Sequence, residues 1–189
     1  MAESAAAWLI ENADLWPRVH LATQSPRRGG PGGGTVLDVA CGRGRHAILL
    51  ARAGFDVHAV DRNPEAIAQL RELADQLGLT ISTQQIDLET SPPPDLGSRK
   101  YDVVLCFNYL HRPLMPSIRE AVKPGGRVFY ETFTRRQAER GHPRNPAFLL
   151  ESGELERLMT PFTILRSREG EIDGRFIASI VAERPRGVN

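Results

Sequence analysis

Cysteine is scarce: Cys41 and Cys106 are the only two, with no CxxC pair and too few thiols to frame a disulfide-stapled fold. They read as small buried thiols, and no disulfide is expected between them. Long apolar runs are missing. The run Ala5–Ile10 is short, preceded by Glu3 and followed by Glu11, so it reads neither as a signal peptide nor as a membrane span. An excess of one charge is missing as well. Lysine and arginine number 24 against 23 acidic residues, a net +1, so no global field draws the chain onto nucleic acid or a charged membrane. Only Lys100 and Lys123 are lysines, which leaves arginine to carry nearly all the positive charge. The five histidines, His20, His46, His58, His111 and His142, lack metal-ligand spacing, and no metal is expected. What remains is 189 residues of ordinary composition, 41% hydrophobic, without an internal repeat. That length and composition predict one soluble, cytoplasmic domain rather than a disordered chain.

Punctuation by glycine and proline divides the chain. Residues 4 to 14 read as a helix with Ser4 as its cap. The stretch from Thr23 to Thr35 (TQSPRRGGPGGGT) is too rich in Pro, Gly and Arg to bury much. The expected organisation is therefore an N-terminal helical segment over 1–23, either a lid or docked elsewhere, a flexible linker over 24–34, and a main domain over 35–183.

Within the main domain, strand and helix patterns alternate. Strands are predicted from Thr35 to Ala40, Asp56 to Val60, Ile81 to Ile86, Tyr101 to Phe107 and Arg127 to Thr132. The fourth has no polar alternation, as for a strand buried on both faces. Helices are predicted from His46 to Ala53 before Gly54, from Pro64 to Leu77 behind an Asn63 cap and before Gly78, and from Leu114 to Val122. Lys123-Pro-Gly-Gly126 reads as a turn, and Ser152 as the cap of a helix ending at Met159. Thr163–Arg168 and Phe176–Ala182 read as a hairpin that adds an antiparallel pair at one edge. This order predicts an α/β fold, a mostly parallel sheet with helices on both faces.

Ligands of such sheets bind at the carboxyl ends of the strands. The first strand runs into Asp38-Val-Ala-Cys-Gly-Arg-Gly-Arg45, where Gly42 and Gly44 let the backbone turn tightly beside a ligand. Asp61 ends the second strand, placed to accept from two ribose hydroxyls, and Asp87 follows the third, within reach of an adenine amino group. Three strands thus deliver groups to one nucleoside-sized crevice. Gly42-x-Gly44-x-x-Ala47 formally fits a dinucleotide turn. Asp38 argues against a diphosphate there, because a carboxylate suits an amino-bearing ligand better, and the chain closes in a hairpin rather than a second βαβ half.

These residues, with Val57-His-Ala-Val-Asp61, Asp87-Leu88, the strand Tyr101–Phe107 and Lys123-Pro-Gly-Gly126, resemble the class I S-adenosylmethionine-dependent methyltransferases over roughly residues 35–183. The CGRGR turn and the AVDRNP stretch, with Asn145-Pro-Ala-Phe-Leu-Leu150 and Gly153-Glu-Leu155, further resemble the small-molecule methyltransferases related to tellurite resistance. The resemblance implies a Rossmann-like seven-stranded sheet whose last strand is antiparallel. It also implies S-adenosylmethionine as cofactor, with S-adenosylhomocysteine as product. By resemblance, Asp38, Gly42 and Gly44 line the methionine end, Asp61 binds the ribose, Asp87 and Leu88 flank the adenine, and Asn108 faces the transferred methyl group; Ala40 is a further cofactor-binding candidate in the turn, and Arg62 reads as solvent-facing or as covering the adenine edge.

Acceptor-side candidates are weaker in pattern. His111 and Arg112 follow Asn108-Tyr109 and read either as a substrate-contacting pair or as a helix-entry loop shaped by Pro113. Glu131 and Thr132 face the same crevice in principle, and His111 or Glu131 would serve as base for a protonated acceptor. Arg135, Arg136, Arg140, His142 and Arg144 form a basic run, a solvated face or an anion site. The expected partner is a small molecule, a thiol or chalcogen oxyanion among the candidates, with no nucleic acid, no membrane, and a monomer or homodimer. An RNA or protein methyltransferase, a nicotinamide-dependent oxidoreductase and a catalytically silent cofactor-binding module are the alternatives.

Overall fold

The computed structural model describes residues 6–17 and 33–187. The predicted linker over 24–34 lies outside them except for Gly33 and Gly34, which open the first strand. Seven strands form one sheet: β1 (Gly33–Val39), β2 (Phe55–Asp61), β3 (Ile81–Gln85), β4 (Tyr101–Phe107), β5 (Val122–Phe133), β6 (Thr163–Ile172) and β7 (Arg175–Glu183). Their order is β3-β2-β1-β4-β5-β7-β6. The first five run parallel, and β7 is antiparallel to both its neighbours. The chain moves outward from β1 through β2 to β3, then returns to β4 on the other side of β1. That reversal opens a crevice beyond the ends of β1 and β4.

Helices α1 (Ala7–Glu11), α2 (Arg45–Arg52) and α3 (Pro64–Gln76) pack on one face, where Leu9, Leu50 and Leu70 meet Val36, Leu105 and Phe129. Helices α4 (Met115–Ala121) and α5 (Glu154–Met159) cover the other, where Ile118 and Met159 meet Val104, Tyr130 and Ile180. Successive residues of β4 serve opposite cores, Val104 one and Leu105 the other, which is why that strand shows no polar alternation. Asn63 caps α3 as predicted: its Oδ1 accepts the Glu65 and Ala66 N–H groups, with Pro64 at the first helical position.

Several boundaries differ from the sequence reading. Lys123-Pro-Gly-Gly126 is a bulge inside β5, since Tyr101 pairs with Val122 and Val103 already with Arg127. It is fastened from outside, the Gly125 N–H donating to the Arg184 carbonyl and the Arg184 N–H to that of Gly126. Ser152 does not cap α5; Gly153 takes that place at φ 67°. The predicted helix from Leu114 opens as a 3-10 turn at Arg112–Leu114. The hairpin closes over two residues, Asp173 and Gly174, both at positive φ, so its strands are longer than their hydrophobic pattern indicates. Its second strand lies inside the sheet, between β5 and β6.

The N-terminal helix is shorter than predicted, α1 followed by a 3-10 turn at Ala13–Leu15. It is docked on the sheet. The Trp8 indole donates to the Ile180 carbonyl at 3.3 Å, and Arg168 lies 4.4 Å over its ring. Arg166 forms a two-pronged pair with Asp14, and Arg127 donates to the Leu15 carbonyl.

Candidate functional site

The ends of β1 and β2 are tied by one carboxylate. Asp61, the last residue of β2, accepts the Gly42 N–H on Oδ2 and the Asn63 N–H on Oδ1, both at 2.8 Å. Each oxygen retains lone-pair capacity for a further donor. The two turn glycines serve different purposes. Gly44, at φ 76°, abuts α3, and a Cβ there would fall 2.3 Å from Leu70 Cδ1. Gly42, at φ 54°, faces open space, with nothing within 4 Å of a Cβ. Gly42 is therefore the position that leaves the backbone open to a ligand, and Gly44 the one that lets α3 pack.

Two non-glycine residues at neighbouring strand ends hold left-handed backbone: Ala40 after β1 (φ 54°) and Asn108 after β4 (φ 57°). Such positions cost roughly 1 kcal/mol or more each and gather at functional sites. Asn108 is held there by its N–H donating to the Glu131 carbonyl at 2.8 Å. Beneath them Asp38 is buried, and its Oδ2 has no partner. Burial raises its pKa to about 7 against the lowering effects of the Ala47 backbone N–H and of Arg45.

A cavity of about 520 Å³ opens beyond these strand ends. Following the strand order, one half is walled by Ala40, Asp61, Arg62, Leu88 and Glu89, and the other by Phe133, His142, Pro143 and Phe148. Asn108, Tyr109 and Leu110 lie between. Arg62 closes one rim through a 3.6 Å contact with Glu89. Asp87 lies outside this cavity, along an adjoining depression shared with Arg62 and Gln85. It is exposed, and its Oδ1 accepts the Glu89 N–H at 2.9 Å.

The acceptor-side candidates are distributed otherwise than the sequence suggested. His111 does not line the cavity. Arg112 is consumed in the fold: its guanidinium grips both Glu154 oxygens, at 2.6 and 2.9 Å, and donates to the Ala147 and Leu149 carbonyls. That pair holds the Glu154 carboxyl below the usual range. The reading of Arg112 as a substrate contact is thus corrected, because its donors are spent on the segment that carries Phe148. Glu131 is buried away from the cavity, accepting from Ser179 Oγ at 2.7 Å and pairing with Arg168. The basic run is largely paired as well, Arg135 with Glu151 and Arg140 with Glu171, while Arg136 lies over the Phe176 ring.

The sequence reading did not assign Phe133, Pro143 or Phe148 to the site, and it placed His142 only within the basic run. Phe133 is the last residue of β5, and the others follow on a segment of 3-10 turns, Arg135–Glu139 and Pro146–Phe148, which has no helical or strand periodicity to read. Gln137 fixes this segment from within. Its Oε1 accepts the Phe176 N–H at 2.9 Å, and its Nε2 donates to the His142 carbonyl.

A buried carboxyl with one orphaned oxygen, an open glycine turn and a strand-end carboxylate with spare acceptor capacity fit a nucleoside that carries an amino-acid tail. An ammonium on such a tail would give Asp38 Oδ2 the partner it lacks. Among the described residues no cluster of three His, Cys, Asp or Glu could hold a metal, and no helix is long and apolar enough to cross a membrane.

Residues 36–126 match a methyltransferase domain family. A ubiquinone biosynthesis O-methyltransferase of Acinetobacter baumannii (strain AYE) is 33% identical over 168 residues, covering 83% of this chain and 68% of that protein. A protein of the same name from Pectobacterium atrosepticum is 40% identical over 116 residues, 59% of this chain and 47% of its own. Among solved structures, TehB from Haemophilus influenzae aligns with a TM-score of 0.67 at 23% identity, over 80% of this chain and 57% of that one. Magnesium protoporphyrin IX methyltransferase from Synechocystis PCC 6803, solved with bound S-adenosylmethionine, aligns with a TM-score of 0.65 at 18% identity, over 94% and 75%. At these identities the structural likeness concerns the fold alone.

Proposed function

The chain belongs to the class I S-adenosylmethionine-dependent methyltransferases, with S-adenosylmethionine as its cofactor, and we propose that it methylates a small organic molecule seated against Phe133, Pro143 and Phe148. The observation that carries this reading is that apolar wall, facing Ala40 and Asp61 across one cavity. A hydrated chalcogen oxyanion is poorly served there. It would lose water to aromatic rings, and the cavity's one arginine is already engaged by Glu89. An organic hydroxyl or thiol on an apolar body fits better.

When bound, the cofactor supplies a methyl group on a positively charged sulfur, already activated for transfer. In this proposal the chain's own residues hold and align. Asp38 receives the amino group of the methionine portion, and Ala40, Gly42 and Gly44 shape the turn beside it. The spare lone pairs of Asp61 accept the ribose hydroxyls. Leu88 packs on the adenine, with Arg62 over its edge and Asp87 at its outer side. Asn108, held in its left-handed conformation, borders the point of transfer. The wall formed by Phe133 and Phe148 fixes the acceptor's approach and excludes water, so that alignment and a dry site are the main contributions to rate. A thiolate needs no base. A hydroxyl does, and His142, the histidine lining this cavity, is the candidate to take that proton at its ring nitrogen. The name of the relatives as O-methyltransferases favours the hydroxyl.

Methyl-labelled S-adenosylmethionine, offered with simple phenols, catechols, alkyl thiols, selenite, tellurite and total bacterial RNA, tests the proposal. Label is expected in the phenol or thiol fractions. Transfer to RNA or to protein alone would overturn the substrate class. Binding of S-adenosylhomocysteine with no transfer to any of them would instead support the silent module.

A further inference from the structure

Among the described residues, two buried side-chain polar atoms lack any partner: Asp38 Oδ2 and the Tyr109 hydroxyl. The proposed cofactor tail accounts for the first. Nothing above accounts for the second. Tyr109 follows Asn108 on the loop after β4 and lines the cavity where its two halves meet. Its backbone is fastened, its carbonyl accepting the Tyr130 hydroxyl at 2.8 Å. Tyr109 lines the same cavity as Asp61, Arg62, Leu88 and Glu89. Burial pushes its ionisation far up, so it remains a proton donor at any physiological pH. The nearby carboxylate of Glu89 is turned to Arg62 instead. Native structures leave few buried donors unmade, and a donor without an acceptor beside an open cavity points to an acceptor that arrives with the ligand.

We propose that Tyr109 is a specificity-determining residue for the cofactor, its hydroxyl donating a hydrogen bond to a lone pair of the adenosine portion, on a ring nitrogen or a ribose oxygen. This rests on the assignment of the Asp61 and Leu88 half of the cavity to the cofactor. The bond is not made in the free protein, so ligand entry relieves the unsatisfied donor as well as adding a contact.

The test is calorimetric and needs no acceptor substrate. S-adenosylhomocysteine and 5′-methylthioadenosine, which keeps the adenosine but lacks the amino-acid tail, are titrated into the full-length protein and into Tyr109→Phe. The melting temperature of each free protein is recorded alongside. The variant is expected to bind both ligands about tenfold more weakly, the net value of one hydrogen bond, while its melting temperature is unchanged or higher. Equal affinity for both ligands in the two proteins overturns the inference. So does a loss confined to S-adenosylhomocysteine, which would put the bond on the tail. Failure of the unmodified protein to bind S-adenosylhomocysteine sinks the underlying assignment instead, and is thereby distinguished.

Discussion

The two halves of the cavity are built by different means. The half that ends in Asp61 and Leu88 is made of strand ends: the register of β1 against β2 brings Asp61 under the Gly42 N–H, and main-chain groups do most of the fastening. The half that ends in Phe148 starts at Phe133, the end of β5, and continues through 3-10 turns, tied by a backbone bridge between Thr134 and Leu150 and by two side chains, Arg112 and Gln137, reaching across 35 to 42 residues of sequence. The first geometry follows from the sheet and is hard to alter without altering the fold. The second hangs on a few replaceable contacts. A protein so divided keeps one ligand constant while its other specificity is free to change.

That contrast is open to attack, first through the turn. Gly44→Ala forces a Cβ into Leu70 and a left-handed backbone on alanine, and we expect a loss of about 2–4 kcal/mol in denaturant unfolding. A near-neutral result would mean the strand-end half is not rigid. Next, Asp61→Ala removes both backbone ties and the proposed ribose contact. S-adenosylhomocysteine affinity should fall about a hundredfold by calorimetry. An unchanged affinity would put the cofactor elsewhere.

Asp38 gives a smaller, pH-dependent effect. Its carboxyl is raised in the folded protein to about 7, so between the ordinary carboxylate range and that value the unfolded chain is ionised there and the folded chain is not. The unfolded state then binds fewer protons, and this residue's contribution to stability declines as pH rises through that window. Affinity for an ammonium-bearing ligand should move the opposite way, increasing from pH 6 to pH 8 as the carboxylate forms. Asp38→Asn should flatten both trends; persistence of either would assign it to another group. Smallest is Arg112→Gln, expected to cost about 1–2 kcal/mol and to speed amide exchange at Leu149 and Leu150, with S-adenosylhomocysteine affinity unchanged within about twofold. If that affinity fell in step, the halves would not be separable after all.

The same division governs how much was legible in the sequence. Strand patterns, the Asn63 cap and the glycine turn are local signals, and they located β1 to β5 and placed Asp61 at a strand end. In the sequence Arg112 stays between two readings, for the converse reason. Its nearness to Asn108 is visible in sequence, whereas its partner Glu154 lies 42 residues on and belongs to no pattern. Phe148 and His142 sit in turns whose shape depends on those distant partners. Lys123-Pro-Gly-Gly126 has the composition of a turn, and only the register of β5 against β4 and its pairing with Arg184 show that it interrupts a strand instead.

The hairpin's placement has a consequence for the order in which the molecule is completed. The strand that fills the gap beside β5 is β7, which leaves the ribosome after β6 has emerged, so β5 keeps an unpaired edge until Arg175–Glu183 is available. The docking of α1 waits on the same event, because the Trp8 indole finds its acceptor at Ile180, 172 residues away, and Arg166 and Arg168 stand on β6. Helix α1, made before any strand of the sheet, is therefore among the last elements to be fixed in place, and its arrival reports that the sheet has closed.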